Sequence, residues 1–245
     1  KTAEQLSEVE DLDMLVVITP HGPVFRSAAS IIIKEDLKGN FADFGHPRVK
    51  FQEKSNPEFA EKIFKKCERD DLPLQALRQK DLLNYGIDQE LDHGIMVPLY
   101  YLQKAGVELP IIPISIGFIS YDKLYQIGQK IAETAEEEDY NIAVVASGDL
   151  SHRLKKGAPA GYNPDAHLFD EKLVELFREE DFEGIMNMDQ ELIEKAGECG
   201  LRPIIMMLGS IADKEVDVEV NSYEGPFGVG YATVIMKIRE TAEVK

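Results

Sequence analysis

Three continuous apolar runs constrain this chain more than any other feature: Met14–Thr19 (MLVVIT), residues 110–116 and Ile142–Ala146. Short runs without alternation suit strands buried on both faces. A β-rich run at 28–33 follows the first. Helical periodicity is expected over 57–68, where Phe59, Ile63 and Phe64 share a face, and over about 74–83, 94–105 and 121–136. Further helices are expected at 165–178, 182–186, 190–196 and from Pro203 to about 211, with closing strands at 216–220 and 230–238. This alternation predicts an α/β fold: a central mixed or mostly parallel sheet with helices on both faces, in a single domain. In such sheets ligands bind beyond the carboxyl ends of the strands.

The histidines fall at those ends. Of five in 245 residues, three sit beside Gly, Pro, Ser or Asp where a strand or loop is expected to end: His21 in Pro20-His21-Gly22-Pro23, His93 in Asp92-His93-Gly94, and His152 after Gly148-Asp149-Leu150-Ser151. An imidazole on a small-residue loop can reach a metal or a substrate, whereas one inside an amphipathic stripe is usually a core residue. His21 alone reads equally well as a ligand or a turn residue. Asp149 can orient the ring of His152 or accept its proton, as an acid–base histidine requires; an Asx-turn before a surface histidine is the plainer alternative. His93, preceded by Asp92, has a weaker version of the same pattern. Glu198, in Gly197-Glu198-Cys199-Gly200 ahead of a helix, is a candidate metal carboxylate, or it complements the helix N-terminus. Cys199 is the competing ligand, and its thiolate would favour a softer metal such as zinc. His46, His167 and Cys67 read as structural or surface residues.

Composition narrows the function classes. A formal charge of −18 argues against a nucleic-acid partner, which needs clustered Lys and Arg. The acidic run at 136–139 reads as a solvated surface. No apolar run approaches the roughly 20 residues of a membrane span. Two cysteines without a CxxC pair, and no signal peptide, lead us to expect a cytoplasmic protein. There is no Gly-rich phosphate loop, serine elbow or zinc-finger spacing. The loop at 153–164 (RLKKGAPAGYNP) is long enough to form a lid or site wall.

Four segments in order, TPHGPVF around His21, LDHGIMVPLYYL around His93, VVASGDLSHRL around His152 and the closing GYATVIMKI, resemble the class III extradiol ring-cleavage dioxygenases. The resemblance covers essentially the whole chain. It implies a catalytic domain over residues 1–245 with a non-haem Fe(2+) site, zinc or manganese being the alternatives, that binds a small catechol-like aromatic and O2. His21 matches a metal histidine and Glu198 is the best candidate for the carboxylate; His152, with Asp149 beside it, matches the acid–base residue, and His93 a second active-site histidine. The family's other metal histidine lies in an upstream Met-Pro-His-Pro-like motif, so the expectation is that this domain is N-terminally incomplete. A homo-oligomer is expected. Two alternatives stay open: a catalytically silent binding or scaffold protein of the same fold, and a metal-dependent hydrolase.

Overall fold

The structure is a computed structural model that describes residues 1–87 and 90–239. In chain order its elements are α1 (Thr2–Ser7), β1 (Met14–Thr19), β2 (Ala29–Ile33), β3 (Asp36–Phe41), a 3₁₀ turn at Ala42–Phe44, β4 (His46–Lys54), α2 (Pro57–Arg69), β5 (Leu74–Arg78), α3 (Gln79–Tyr85), α4 (His93–Lys104), β6 (Ile111–Ser115), α5 (Tyr121–Glu137), β7 (Ile142–Ala146), α6 (Ala166–Arg178), α7 (Phe182–Met186), α8 (Gln190–Ala196), α9 (Leu201–Ser210), β8 (Val216–Glu224) and β9 (Tyr231–Ile238). Contacts group these residues into two compact units. The larger holds Ala3–Gly148 and Arg202–Ser210; the smaller holds Lys1–Thr2, Asp149–Leu201 and the chain from Ile211.

The larger unit is built on a five-stranded sheet in the order β5-β2-β6-β1-β7. β1 runs parallel to β6 and β7, and β2 runs parallel to β5; the β2–β6 junction is antiparallel, so the sheet is mixed but mostly parallel, flanked by helices as expected. Leu15 and Val17 of β1 pack with Ile95, Leu99 and Leu102 of α4 and with Leu37 and Phe51 of the β3–β4 hairpin. Val16 and Ile18, on the opposite side of the same strand, are also fully buried, so both faces of β1 are covered. Each such side chain contributes about 1.5–3 kcal/mol of burial. Helix starts carry their signals: Asn56 accepts from the Phe59 amide, with Pro57 at the first turn of α2, and Ser120 accepts from the Lys123 amide to open α5.

Two expectations need correction. Residues 74–83 are not one helix: Leu74–Arg78 is strand β5, paired in parallel with β2 from Ala29↔Leu74 to Ile33↔Arg78, and the helix begins only at Gln79. The stretch around His46, read as a turn, opens β4, whose ladder with β3 places His46 opposite Phe41.

In the smaller unit the antiparallel pair β8–β9 packs with α6, which also contacts α7 and α8. Phe169, Leu173, Val174 and Phe177 of α6 are buried there, together with Ile185, Ile193 and Val216.

Candidate functional site

At the carboxyl end of β1 a hydrogen-bonded chain fixes two histidines of the larger unit. Thr19, fully buried, donates from Oγ1 to Asp92 Oδ1 at 2.7 Å, and the same carboxylate oxygen accepts from the Gly94 amide at 2.8 Å. Thr19 Oγ1 in turn accepts from the His21 amide at 3.1 Å. Asp92 is the N-cap of α4, which puts His93 at the first helical position. The rings of His21 and His93 stack with centroids 4.2 Å apart and planes 26° from parallel. Two glycines permit this closeness: a Cβ on Gly22 would lie 2.1 Å from Ser115 Oγ, and one on Gly94 would lie 2.4 Å from Thr19 Oγ1. Phe44, on the 3₁₀ turn, brings its ring to 5.5 Å from His93 and is 56% exposed. His21 is exposed and His93 half-buried. His46 is exposed at the start of β4, and His167 is exposed on α6.

The smaller unit holds a tighter group. His152 Nδ1 lies 2.6 Å from the Gly197 carbonyl, which can only accept, so Nδ1 carries a hydrogen and Nε2 faces the remaining partners. Those partners are Asp149 Oδ2 at 3.3 Å and Cys199 Sγ at 4.0 Å. The loop carrying Cys199 and the loop carrying Asp149 are latched to each other: the Asp149 amide donates to Cys199 Sγ at 3.1 Å, and the Cys199 and Gly200 amides donate to the Asp149 carbonyl at 3.2 and 2.8 Å. Asp149 as hydrogen-bond acceptor is the main reason that the His152 imidazole is pushed up to about 10, with Cys199 adding to it against the opposing effect of burial. The Tyr231 phenol is also held above its usual range, first by burial and then by the charges of Asp149 and Cys199.

Among the described residues, Asp149, His152 and Cys199 form a group able to hold a metal: one oxygen, one nitrogen and one sulfur, all within 4.8 Å of one another and all half-buried. Glu198 is used differently, its Oε2 accepting from the Leu201 amide at 2.6 Å as α9 begins. Cys67 is buried on α2, and burial pushes its thiol up to about 12, which leaves it without nucleophilic or ligating character at neutral pH. Sequence reading singled out Asp149 and His152 and offered Cys199 only as a rival to Glu198. It passed over Thr19, Phe44, Tyr231 and the buried carboxylate Asp170 of α6, which accepts from the Ser151 amide beside His152 at 2.8 Å. Asp170 carried a usable signal, since it sits in the apolar stripe Phe169, Leu173, Val174 where a charge needs partners.

An α/β sheet with histidines at strand ends, and a mixed carboxylate–imidazole–thiol group that could hold a metal ion, define the class of α/β protein to which this chain belongs. Within that class the chain belongs to a specific family: residues 1–234 match the family described as the catalytic LigB subunit of aromatic ring-opening dioxygenase. A Clostridium acetobutylicum protein is 36% identical over 224 residues, which is 91% of this chain and 47% of the relative. The 3,4-dihydroxyphenylacetate 2,3-dioxygenase of Escherichia coli is 30% identical over 140 residues, 54% of this chain and 50% of the enzyme. A MEMO1 family protein of Methanocaldococcus jannaschii is 29% identical over 159 residues, 63% of this chain and 48% of the relative. The chain thus spans about half the length of these relatives. An uncharacterized Escherichia coli K12 protein of known crystal structure shares the fold, with a TM-score of 0.67 at 17% identity, over 95% of this chain and 90% of that one. Among the described residues no helix is long and apolar enough to cross a membrane.

Proposed function

We propose that this chain is catalytic in a metal-dependent dioxygenase that opens the ring of a catechol-like aromatic with O2, its ion held by Asp149, His152 and Cys199. The observation that carries this reading is the convergence of those three side chains within 4.8 Å in a member of the LigB family. The donor set fits a first-row divalent ion. Three protein ligands leave positions open for other molecules, and a thiolate suits zinc as well as iron, so Fe(2+) is compared with Zn(2+) and Mn(2+). A bound ferrous ion would supply the redox and Lewis-acid chemistry that ring opening by O2 requires.

The chain's own residues supply the rest. The Gly197 carbonyl fixes the tautomer of His152, so that Nε2 is the ligating atom. Cys199 is held in place by the amide it receives from Asp149 and by the two amides its own loop returns. His93, anchored by the Asp92 cap and stacked on His21, is kept as the second acid–base candidate that the family resemblance implies. The family resemblance implies His21 and Glu198 as metal ligands instead, and loss of metal binding in His21→Ala or Glu198→Gln would favour that set.

A second reading makes His152 a proton carrier rather than a ligand. It is favoured by the hydrogen bond from Nε2 to Asp149, which holds the imidazole in its charged form up to about pH 10. His152→Ala separates the two: a ligand role removes metal binding, and a proton-carrier role spares it while turnover is lost.

The test is oxygen uptake by protein reconstituted anaerobically with Fe(2+), mixed with 3,4-dihydroxyphenylacetate, protocatechuate or gallate, while the yellow ring-opened product is followed by absorbance. Oxygen consumed in step with product, abolished by chelation, is the expected result. No product with any of the three catechol-like substrates would refute the dioxygenase reading and leave the binding-protein alternative.

A further inference from the structure

We propose that Asp170, with Tyr223 behind it, is the positioning residue for His152, setting the metal-holding geometry from inside the smaller unit. The inference rests on the reading of Asp149, His152 and Cys199 as metal ligands. Asp170 is fully buried in the middle of α6, a position where a carboxylate is retained only when its oxygens are partnered. Both are. Oδ1 accepts from the Ser151 amide at 2.8 Å, and Oδ2 accepts from the Tyr223 hydroxyl at 2.8 Å.

The Ser151 amide is the peptide group one residue before His152, so Asp170 acts on the ring through the backbone that carries it. The same short loop is held from two other sides. The Leu150 amide donates to the Gly230 carbonyl at 2.9 Å, and the Gly230 amide donates back to the Ser151 carbonyl at 2.8 Å. Ser151 Oγ donates to the Ala196 carbonyl at 3.2 Å and accepts from the Arg153 amide at 3.2 Å, while the His152 amide also donates to Ala196, at 3.0 Å. Gly230 has to be glycine here, because a Cβ would sit 2.0 Å from Asp170 Oδ2. Asp170 is the charged member of this clamp, and its carboxylate is directed at the one loop that ends in His152. A helix that needed only filling at this position would be served by a leucine. The buried pair Asp170–Tyr223 instead holds the His152 backbone at a defined height, so that Nδ1 meets the Gly197 carbonyl and Nε2 faces Asp149 and Cys199.

The test uses Co(2+), whose charge-transfer absorption reports a bound thiolate directly. Wild-type protein is titrated with Co(2+) beside Asp170→Ala, Asp170→Asn, Tyr223→Phe and Phe177→Leu, at a temperature where circular dichroism shows each to be folded. Asp170→Ala is expected to weaken cobalt binding about 10- to 100-fold, the usual cost of losing an orienting partner. Asp170→Asn keeps an acceptor for the Ser151 amide and is expected to stay near wild type; Tyr223→Phe falls between, and carries the test alone should Asp170→Ala not fold. Phe177→Leu loosens the same helix two turns further on and is expected to leave cobalt binding unchanged. Full-strength binding with an unaltered spectrum in Asp170→Ala and Tyr223→Phe would overturn the positioning role, as would an equal loss in Phe177→Leu. A wild-type protein with no cobalt–thiolate absorption would overturn the metal reading itself, and the positioning role with it.

Discussion

One oxygen of Asp92 serves two donors, the Thr19 hydroxyl and the Gly94 amide, and so ties β1 to the first turn of α4. Asp92→Ala removes an N-cap, worth about 1 kcal/mol, and strands a buried hydroxyl, worth about 1–3 kcal/mol. Urea unfolding should therefore show a loss of about 2–4 kcal/mol, with Asp92→Asn retaining most of the stability; an unchanged midpoint in Asp92→Ala would mean that the two bonds contribute nothing net. Asp170 makes a pH-dependent contribution. Burial raises its carboxyl from 3.8 to about 6, against the opposing pull of the Ser151 amide, the Tyr223 hydroxyl and the nearby His152 and His167. A folded value above the unfolded one means that the native state holds the proton more tightly. The stabilisation is then complete below about pH 3.8 and lost as pH rises through about 6, with a ceiling of about 3 kcal/mol. Wild type minus Asp170→Asn, compared by denaturant melts from pH 4 to 7, should show that decline; a flat difference would exclude it. Neither carboxylate was fully legible beforehand. Asp92 was noticed only as the neighbour of His93, and Asp170 shows itself only as a charge in an apolar stripe.

At the scale of elements, α5 and α9 pack closely in the larger unit. A Cβ on Gly128 would lie 1.9 Å from the Met206 carbonyl oxygen, and one on Gly209 would lie 2.0 Å from that of Tyr125, so the two helices meet backbone to backbone. Gly128→Ala should destabilise by about 1–3 kcal/mol in spite of alanine's better helix propensity, because the carbonyl has to move to admit the methyl group. A thermal melt that rises instead would show that the helices separate without cost. Most elements could be read in advance, since MLVVIT, IIPIS and IAVVA are short continuous apolar runs; the first two form buried strands and the third a half-buried strand at the sheet edge. β5 could not: apolar residues at 74, 76 and 77 fit either periodicity, and only the ladder with β2 decides in favour of a strand. The β3–β4 hairpin stayed hidden because its strands are mostly polar, with Leu37 and Phe51 as their chief buried anchors.

For the molecule as a whole, the LigB match and the α/β sheet set the chemistry to be sought, and the smaller unit supplies a donor group for it. Asp149 and His152 were legible because they are three residues apart on one loop. Cys199 lies 50 residues beyond Asp149, and no spacing rule links them; the loops meet because α6 and α8 pack together and bring the end of α8 to the loop before α6. Glu198, the carboxylate favoured from the sequence, accepts from the Leu201 amide at the start of α9, a contact that its position ahead of a helix also allowed. The measurement that tests the central claim most directly is an anaerobic Fe(2+) titration of wild type beside Cys199→Ser, His152→Ala, Glu198→Gln and His21→Ala. Binding of one ion per chain, lost in Cys199→Ser and His152→Ala but kept in Glu198→Gln, is the predicted result. Binding that survives both Cys199→Ser and His152→Ala, or no binding by the wild type, would contradict it.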